Sequence, residues 1–370
     1  MRIAQVAPLY ESVPPKLYGG TERVVSYLTE ELVRLGHEVT LFASGDSQTS
    51  ARLVAGCERA LWHDARCRET LPHHVRLMEL VYREARRFDV IHFHCDYVHF
   101  PFLRRLATPA LTTLHGRVNP HDLKPLLQEY PEAALVSISD DQRGALPRVN
   151  WQARVYHGLP RQLHTFREHA GDYLLFVGRI SPEKRLDRAI EIARRTGRPL
   201  KVAAKIYDED RSYYQSTIEP LLRESKPFVE FLGEVGGTDK DALMGNAYAL
   251  LFPIDWPEPF GLVMIESLAC GTPVIGWRNG SVPEILSDGV TGFIVDTMDE
   301  AVKAVCAVAR LDRGDCRRAF EERFDAGRMA GDYLEAYARV SRKPAARYRA
   351  PARPTRDAAM TPWPTPSPIW

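Results

Sequence analysis

One alternation, which occurs twice along the chain, constrains its fold more than any other feature. Short apolar runs suited to buried strands, at 2–9, 38–43, 90–93, 111–114 and 134–138, are separated by segments of helical periodicity such as 22–35. Beyond residue 170 the rhythm resumes. Runs at 173–178, 200–204, 228–232, 248–252, 274–277 and 292–295 alternate with helical patterns at 187–196, 212–224, 240–246 and 298–310. Strands and helices in this order pair into parallel sheets covered on both faces. At 370 residues the chain also exceeds one ordinary core. The expected architecture is α/β, two doubly wound, Rossmann-like domains over 1–165 and 166–330, joined near 159–170 and facing a central cleft. A last helix is expected at 331–340. The stretch 341–370, rich in Pro, Ala and Arg and without periodicity, is expected to be disordered. Ligands of such sheets bind beyond the carboxyl ends of the strands, so the cleft is where a site belongs.

The second series contains FPIDWPEPFGLVMIESLACGTP, residues 252–273. It reads as a strand end, a proline-stiffened loop over 253–259, and a helix over 262–270 stopped by Gly271. Phe260, Gly261 and Leu262 would then offer unpaired backbone N–H groups at the positive end of a helix dipole. Such groups suit a phosphate or a polyhydroxy ligand. Glu258 would lie in the loop above that ligand and Glu266 about one turn into the helix. Two glutamates eight apart are ordinarily solvated charges. The surrounding EPFG and ACGTP change that reading.

The segment EPFGLVMIE, followed by LACGTPVI, resembles the signature of retaining, nucleotide-sugar-dependent glycosyltransferases of family four, which have the GT-B fold. The resemblance spans roughly residues 1–340. It implies that Glu258 contacts the donor sugar, that the amides of Phe260, Gly261 and Leu262 hold sugar and phosphate, and that Glu266 binds the ribose. In LYGGTER, Gly19 and Gly20 would approach the donor phosphates, opening a helix capped by Thr21. In VGRISPEKR, the fork of Arg179 and the mobile charge of Lys184 suit a diphosphate whose charge grows as the glycosidic bond breaks. The family places an arginine and a lysine there. His115 of LTTLHGR stands where the family has a histidine that hydrogen-bonds the donor sugar. Lys205, ending LKVAAK, is a weaker candidate for the same cleft.

The implied activity is transfer of a sugar from a nucleotide-diphosphate donor, a UDP-sugar by preference, to an acceptor hydroxyl with retention and without a metal or other cofactor. A sugar phosphorylase, a sugar-nucleotide epimerase and a non-catalytic nucleotide-sugar-binding protein are the alternatives. The acceptor, whether small molecule, glycan or lipid-linked, is not specified. Asp208, Glu209 and Asp210 have the D-x-D form of metal-dependent transferases but read as a solvated loop. His92 and His94 share one face of a strand and, with Asp96, suggest a metal. Lacking a third ligand at diagnostic spacing, they read as core or acceptor-cleft residues.

A net charge of +1 gives no argument for nucleic acid. The six cysteines, at 57, 67, 95, 270, 306 and 316, form no paired motif and read as reduced thiols. No run approaches the ~20 apolar residues of a membrane span, and MRIAQVAPLY enters a strand with no apolar leader ahead of it. A cytoplasmic protein with at most peripheral contact at the inner membrane face is expected.

Overall fold

The computed structural model describes residues 1–17 and 19–342. The disorder expected for the tail from 343 onward lies outside the described residues, and Ser341 and Arg342 belong to a helix. Seven parallel strands form the first sheet: β1 Arg2–Val6, β2 Glu38–Ser44, β3 Arg52–Cys57, β4 Val90–Phe93, β5 Ala110–Thr113, β6 Leu135–Ser137 and β7 Trp151–Arg154, in the order β3-β2-β1-β4-β5-β6-β7. The second holds β8 Leu174–Arg179, β9 Leu200–Lys205, β10 Val229–Gly233, β11 Ala249–Phe252, β12 Val274–Trp277 and β13 Gly292–Val295, in the order β10-β9-β8-β11-β12-β13. Both orders reverse once, between β1 and β4 and between β8 and β11. Those are the switch points at which such sheets open a crevice.

Central strands such as β4, β11 and β12 are wholly buried, as strands covered on both faces must be. The strands missing from the sequence reading are β3 and β7, which lie at the two edges of the first sheet and are half-exposed. An edge strand carries no continuous apolar run, so nothing announces it. The first helix is Gly20–Arg34, and its N-cap is Gly19 with φ 148°, not Thr21, which falls inside the first turn. The helical stretch expected at 212–224 is interrupted by a π-helical segment, Tyr214–Ile218. Helices Leu71–Glu84, Pro120–Glu129 and Arg313–Arg323 were not expected.

The last helix, Ala326–Arg342, is longer at both ends than 331–340. It returns to the first sheet and packs on the first helix, β5 and β7. Met329, Ala330, Tyr333, Ala336, Tyr337 and Val340, spaced three and four apart, join Ile3, Val24, Leu28 and Leu32 in one apolar cluster. The chain therefore crosses between the sheets twice, at 159 and at 325. Leu159 N–H donates to Phe324 O at 2.9 Å and Ala326 N–H to Leu159 O at 2.9 Å. Gly158 makes this pairing feasible, since a Cβ there would sit 2.6 Å from Asp325 O.

Tyr333 is fully buried and its hydroxyl is 3.0 Å from Thr113 Oγ1. Tyr333→Ala is expected to destabilise the first domain by about 3–5 kcal/mol, the scale for deleting a large aromatic side chain from a core. Denaturant unfolding checks this against Arg339→Ala, whose half-exposed side chain should cost less than about 0.5 kcal/mol.

Candidate active site

Both switch points open into one cleft of about 940 Å³ between the sheets, lined by residues of each. Gly19, Gly20, His115, Arg179, Lys184, Lys205, Glu258, Phe260, Gly261, Leu262 and Glu266 all face it. The residues singled out in the sequence thus come together from segments up to 247 positions apart, Gly19 to Glu266.

Two helices begin at this cleft, one from each sheet. Gly19 precedes Gly20–Arg34 and Gly261 precedes Leu262–Ala269, and neither helix has a side-chain cap. Among the described residues, the N–H groups of Phe260, Gly261 and Leu262 have no backbone partner. Gly261 adopts φ 78°, and a Cβ there would meet Met264 Cε at 2.8 Å and Phe252 Cζ at 3.1 Å. The two N-termini are close to each other: a Cβ on Gly20 would be 3.5 Å from Leu262 Cδ1. Two positive helix ends directed at one space form a site for an anion.

Glu258 is held by structure that its own motif does not contain. Ser281 N–H donates to Glu258 O at 2.9 Å, and Ser281 Oγ donates to Phe260 O at 2.8 Å. Asn279 Nδ2 donates to Ile254 O at 3.1 Å. Gly280 lies between them at φ 56°, where a Cβ would fall on the Glu258 backbone. The turn Asn279–Ser281 therefore clamps the loop. On its other side Asp255 N–H donates to Glu183 O at 2.8 Å, and Arg185 Nη1 reaches Asp255 at 2.8 Å. This laces the Glu258 loop to the one bearing Lys184.

Arg179, Lys184, Lys205 and Lys240 of the cleft are each paired with a carboxylate. Lys184 Nζ donates to Glu258, which also accepts from Trp256 Nε1 at 2.7 Å. Arg179 reaches Glu183 at 2.6 Å, Glu209 at 2.9 Å and Asp210 at 3.3 Å. The Asp208–Asp210 segment is therefore not simply a solvated loop. Asp208 is exposed, but Asp210 is buried and helps hold Arg179. Glu266 is buried beside Lys240 at 2.7 Å. Burial works against its charge, but Lys240, with His164 and Arg23 nearby, outweighs burial and keeps the carboxyl below its usual range. Lys240 went unseen in the sequence because nothing marks a helix lysine as the partner of a residue 26 positions on.

His115 follows β5 and lines the cleft, yet its Nε2 is 2.8 Å from His94 Nδ1, and its Nδ1 is enclosed without a partner. Burial takes it down to about 3, so the ring is neutral. His92 is buried against Tyr333 and Tyr337 of the last helix, and His94, also buried, packs on His92 and lines the cleft. Among the described residues one further group, His164, Asp241 and Cys270, brings ligand atoms within 4.8 Å. Asp241 Oδ1 already accepts from Thr165 N–H at 2.9 Å and lies 3.1 Å from His164 Nδ1. Burial, with Asp241 and Glu266 beside it, pushes the Cys270 thiol up to about 12. No helix among the described residues is long and apolar enough to cross a membrane.

Comparison with known proteins agrees with this geometry. The family model "Glycosyltransferase Family 4" matches residues 18–168, and "Glycosyl transferases group 1" matches residues 165–322. The chain is 27% identical to the glycogen synthase of Mycobacterium tuberculosis, over 84% of this chain and 86% of that one. It is 25% identical to the phosphatidyl-myo-inositol mannosyltransferase of Mycolicibacterium smegmatis, over 92% and 94%. Its fold resembles that of AviGT4, a glycosyltransferase of avilamycin A biosynthesis, with TM-score 0.70, 27% identity and coverage of 92% and 98%. It also resembles the fold of Anabaena Alr3699/HepE, solved with UDP-glucose, with TM-score 0.69, 17% identity and coverage of 92% and 100%.

Glu22, in the first turn after Gly20, faces the same cleft and is 5% exposed. Burial pushes its carboxyl up to about 7 from 4.5, its own backbone N–H opposing the rise and the Glu11 charge adding to it. The folded protein therefore holds this proton over a range where the unfolded chain has released it. Stability then falls as pH rises from about 4.5 toward 7. Glu22→Gln removes that dependence. Between about pH 4 and about pH 8 the variant should gain up to about 3 kcal/mol relative to the parent. Unfolding midpoints of the two proteins measured across this range give the difference, and parallel curves would contradict the assignment.

Proposed function

The chain belongs to the glycosyltransferases of family four, with the GT-B fold, and on that premise we propose that its donor is a nucleoside-diphosphate sugar, transferred to an acceptor hydroxyl with retention and without a metal. The observation that carries this reading is the meeting of two uncapped helix N-termini at one cleft, beside Arg179, Lys184, Glu258 and Glu266. The diphosphate would lie between Gly19–Gly20 and Phe260–Leu262. Glu266 would take the ribose and Glu258 the sugar. UDP is the favoured nucleotide; the Anabaena neighbour solved with UDP-glucose supports it.

In this reading the acceptor attacks on the face from which the nucleotide leaves, and the departing phosphate oxygen takes the acceptor's proton. Little is asked of side chains as acids or bases. The neutral, enclosed ring of His115 is compatible with that. Catalysis then comes from positioning and from stabilising charge on the diphosphate. Arg179 is suited to the second task because one of its prongs is loosely held. The Glu209 side chain is 70% exposed, and a pair of that kind is worth at most about 1 kcal/mol. An incoming phosphate can displace it.

A thermal-shift screen of UDP-, GDP- and ADP-sugars tests the donor. The correct one, at about 100 times its dissociation constant, stabilises by about 2.7 kcal/mol. No shift with any of them would defeat the reading. Arg179→Ala should lower kcat about 10²–10³-fold, the scale for one preorganised transition-state donor, with a smaller effect on donor affinity. Arg179→Lys should recover part of the rate. A raised KM with unchanged kcat would reduce Arg179 to a uniform binding residue. Turnover should survive EDTA. Its abolition, with rescue by Mg²⁺ or Mn²⁺, would return Asp208 and Asp210 to consideration as ligands.

A further inference from the structure

From the cleft wall, which His115 and His94 line, a file of buried polar side chains runs into the first domain. His115 Nε2 lies 2.8 Å from His94 Nδ1, and His94 Nε2 lies 2.7 Å from Gln5 Oε1. Gln5 Nε2 donates to the Tyr337 hydroxyl at 2.9 Å, which is 2.8 Å from His92 Nδ1. His92 Nε2 is 2.8 Å from Thr113 Oγ1, itself 3.0 Å from the Tyr333 hydroxyl. The file joins β1, β4, β5 and the last helix, so elements more than 200 residues apart in the chain share it.

Burial holds all three imidazoles neutral, the neighbouring rings adding to the effect at His92 and His94. A neutral imidazole has one donor nitrogen and one acceptor nitrogen. From His115 to Gln5 the file can therefore run in only two senses. With the Gln5 oxygen toward His94, His94 donates from Nε2 and accepts at Nδ1, and His115 must donate from Nε2. With the amide turned over, both bonds of this segment reverse and the His115 proton moves to Nδ1. That atom decides between the two senses, because it is enclosed and has no partner. A buried N–H without an acceptor is the rarer and costlier orphan, whereas an unused lone pair is tolerated more often.

We propose that His94 and Gln5 are positioning residues which hold His115 as its Nε2–H tautomer, the Gln5 amide lying between His94 and Tyr337 of the last helix. The proposal rests on the reading of His115 as a donor-sugar contact and deepens it. With its one proton committed to His94, His115 has none to give at the cleft. It serves there as a packing surface, not as an acid.

The test uses the full chain with ¹⁵N-labelled histidine rings. Long-range ¹H–¹⁵N correlation distinguishes the two tautomers, and His115→Asn identifies the His115 signals. The expected result is protonation at Nε2 for both His94 and His115. Gln5→Leu should produce mixed tautomers at both rings, and Gln5→Glu, which keeps an acceptor opposite His94 Nε2, should restore the pattern. A proton on Nδ1 of His115 in the parent protein overturns the proposal without need of any variant. So does an unchanged spectrum in Gln5→Leu. In UDP-glucose hydrolysis, Gln5→Leu should lower kcat about tenfold with KM little changed, the scale for losing partners that hold metal-bound imidazoles. Disordered tautomers with unchanged kcat would overturn the positioning role. If His115→Asn itself leaves hydrolysis unchanged, the donor-contact reading fails, and the spectra still decide the tautomer.

Discussion

Two crossings of the chain at one point set the relation between the sheets. Residues 158–159 leave the first sheet and residues 324–326 return to it, bonded to each other through two backbone hydrogen bonds. A single linker would leave the sheets free to turn about it. A paired crossing, followed by a helix whose apolar stripe packs on the first sheet, restricts that freedom to a hinge. The facing of the two switch points follows from it, and so does the approach of Gly20 to Leu262. The last helix is far from the cleft in sequence. Without it the first sheet would lose much of the cover on one face, and the second would lose its return tether.

Arg179, Lys184 and Lys240 are each balanced by carboxylates of the cleft itself. Arg179 faces three carboxylates, Lys184 one and Lys240 another. A buried pair gains little net stability over an apolar equivalent, because desolvation offsets the attraction. What it does provide is order: each long side chain is held in one geometry before the donor arrives. The two helix ends differ from these pairs, since among the described residues neither has a side-chain N-cap and the N–H groups of Phe260, Gly261 and Leu262 have no backbone partner to give up. An anion entering the cleft would therefore gain first from the backbone, and would then compete with Glu209 and Glu258 for the side-chain cations. That order of gains would let a chain of nearly zero net charge hold the proposed diphosphate.

What the sequence disclosed and what it hid divide along a physical line. Interactions encoded within one short segment were legible: the strand, proline loop and helix around Glu258, and the strand end before Arg179. The fold class was legible too, because central parallel strands are apolar throughout. Interactions made through space were not. Gly280 clamps Glu258, Lys240 pairs with Glu266, and Gln5 orders His94, yet none of these belongs to a local pattern. The Thr21 cap was misjudged for a related reason. Threonine is a better cap in isolation, but Gly19 packs so closely on Pro15 that a Cβ would come within 2.8 Å, and the chain turns into the helix there.

The histidines of β4 show how a correct periodicity can leave chemistry undecided. Residues two apart on a strand share a face, and His92 and His94 do, with ring centroids 3.9 Å apart. The sequence could not say which face. Had they pointed to solvent, a metal or an acceptor would have been a reasonable occupant. The last helix instead covers His92, whose ring nitrogens meet Tyr337 and Thr113, while His94 reaches the cleft wall, bonded to Gln5 and His115. A buried polar file of this kind is stable only when nearly every member is satisfied. The one atom left over, Nδ1 of His115, is at the end nearest the cleft, where the core gives way to the site. The orphan therefore lies at the cleft proposed as the donor site, and the buried polar file meets that cleft at the His115 imidazole.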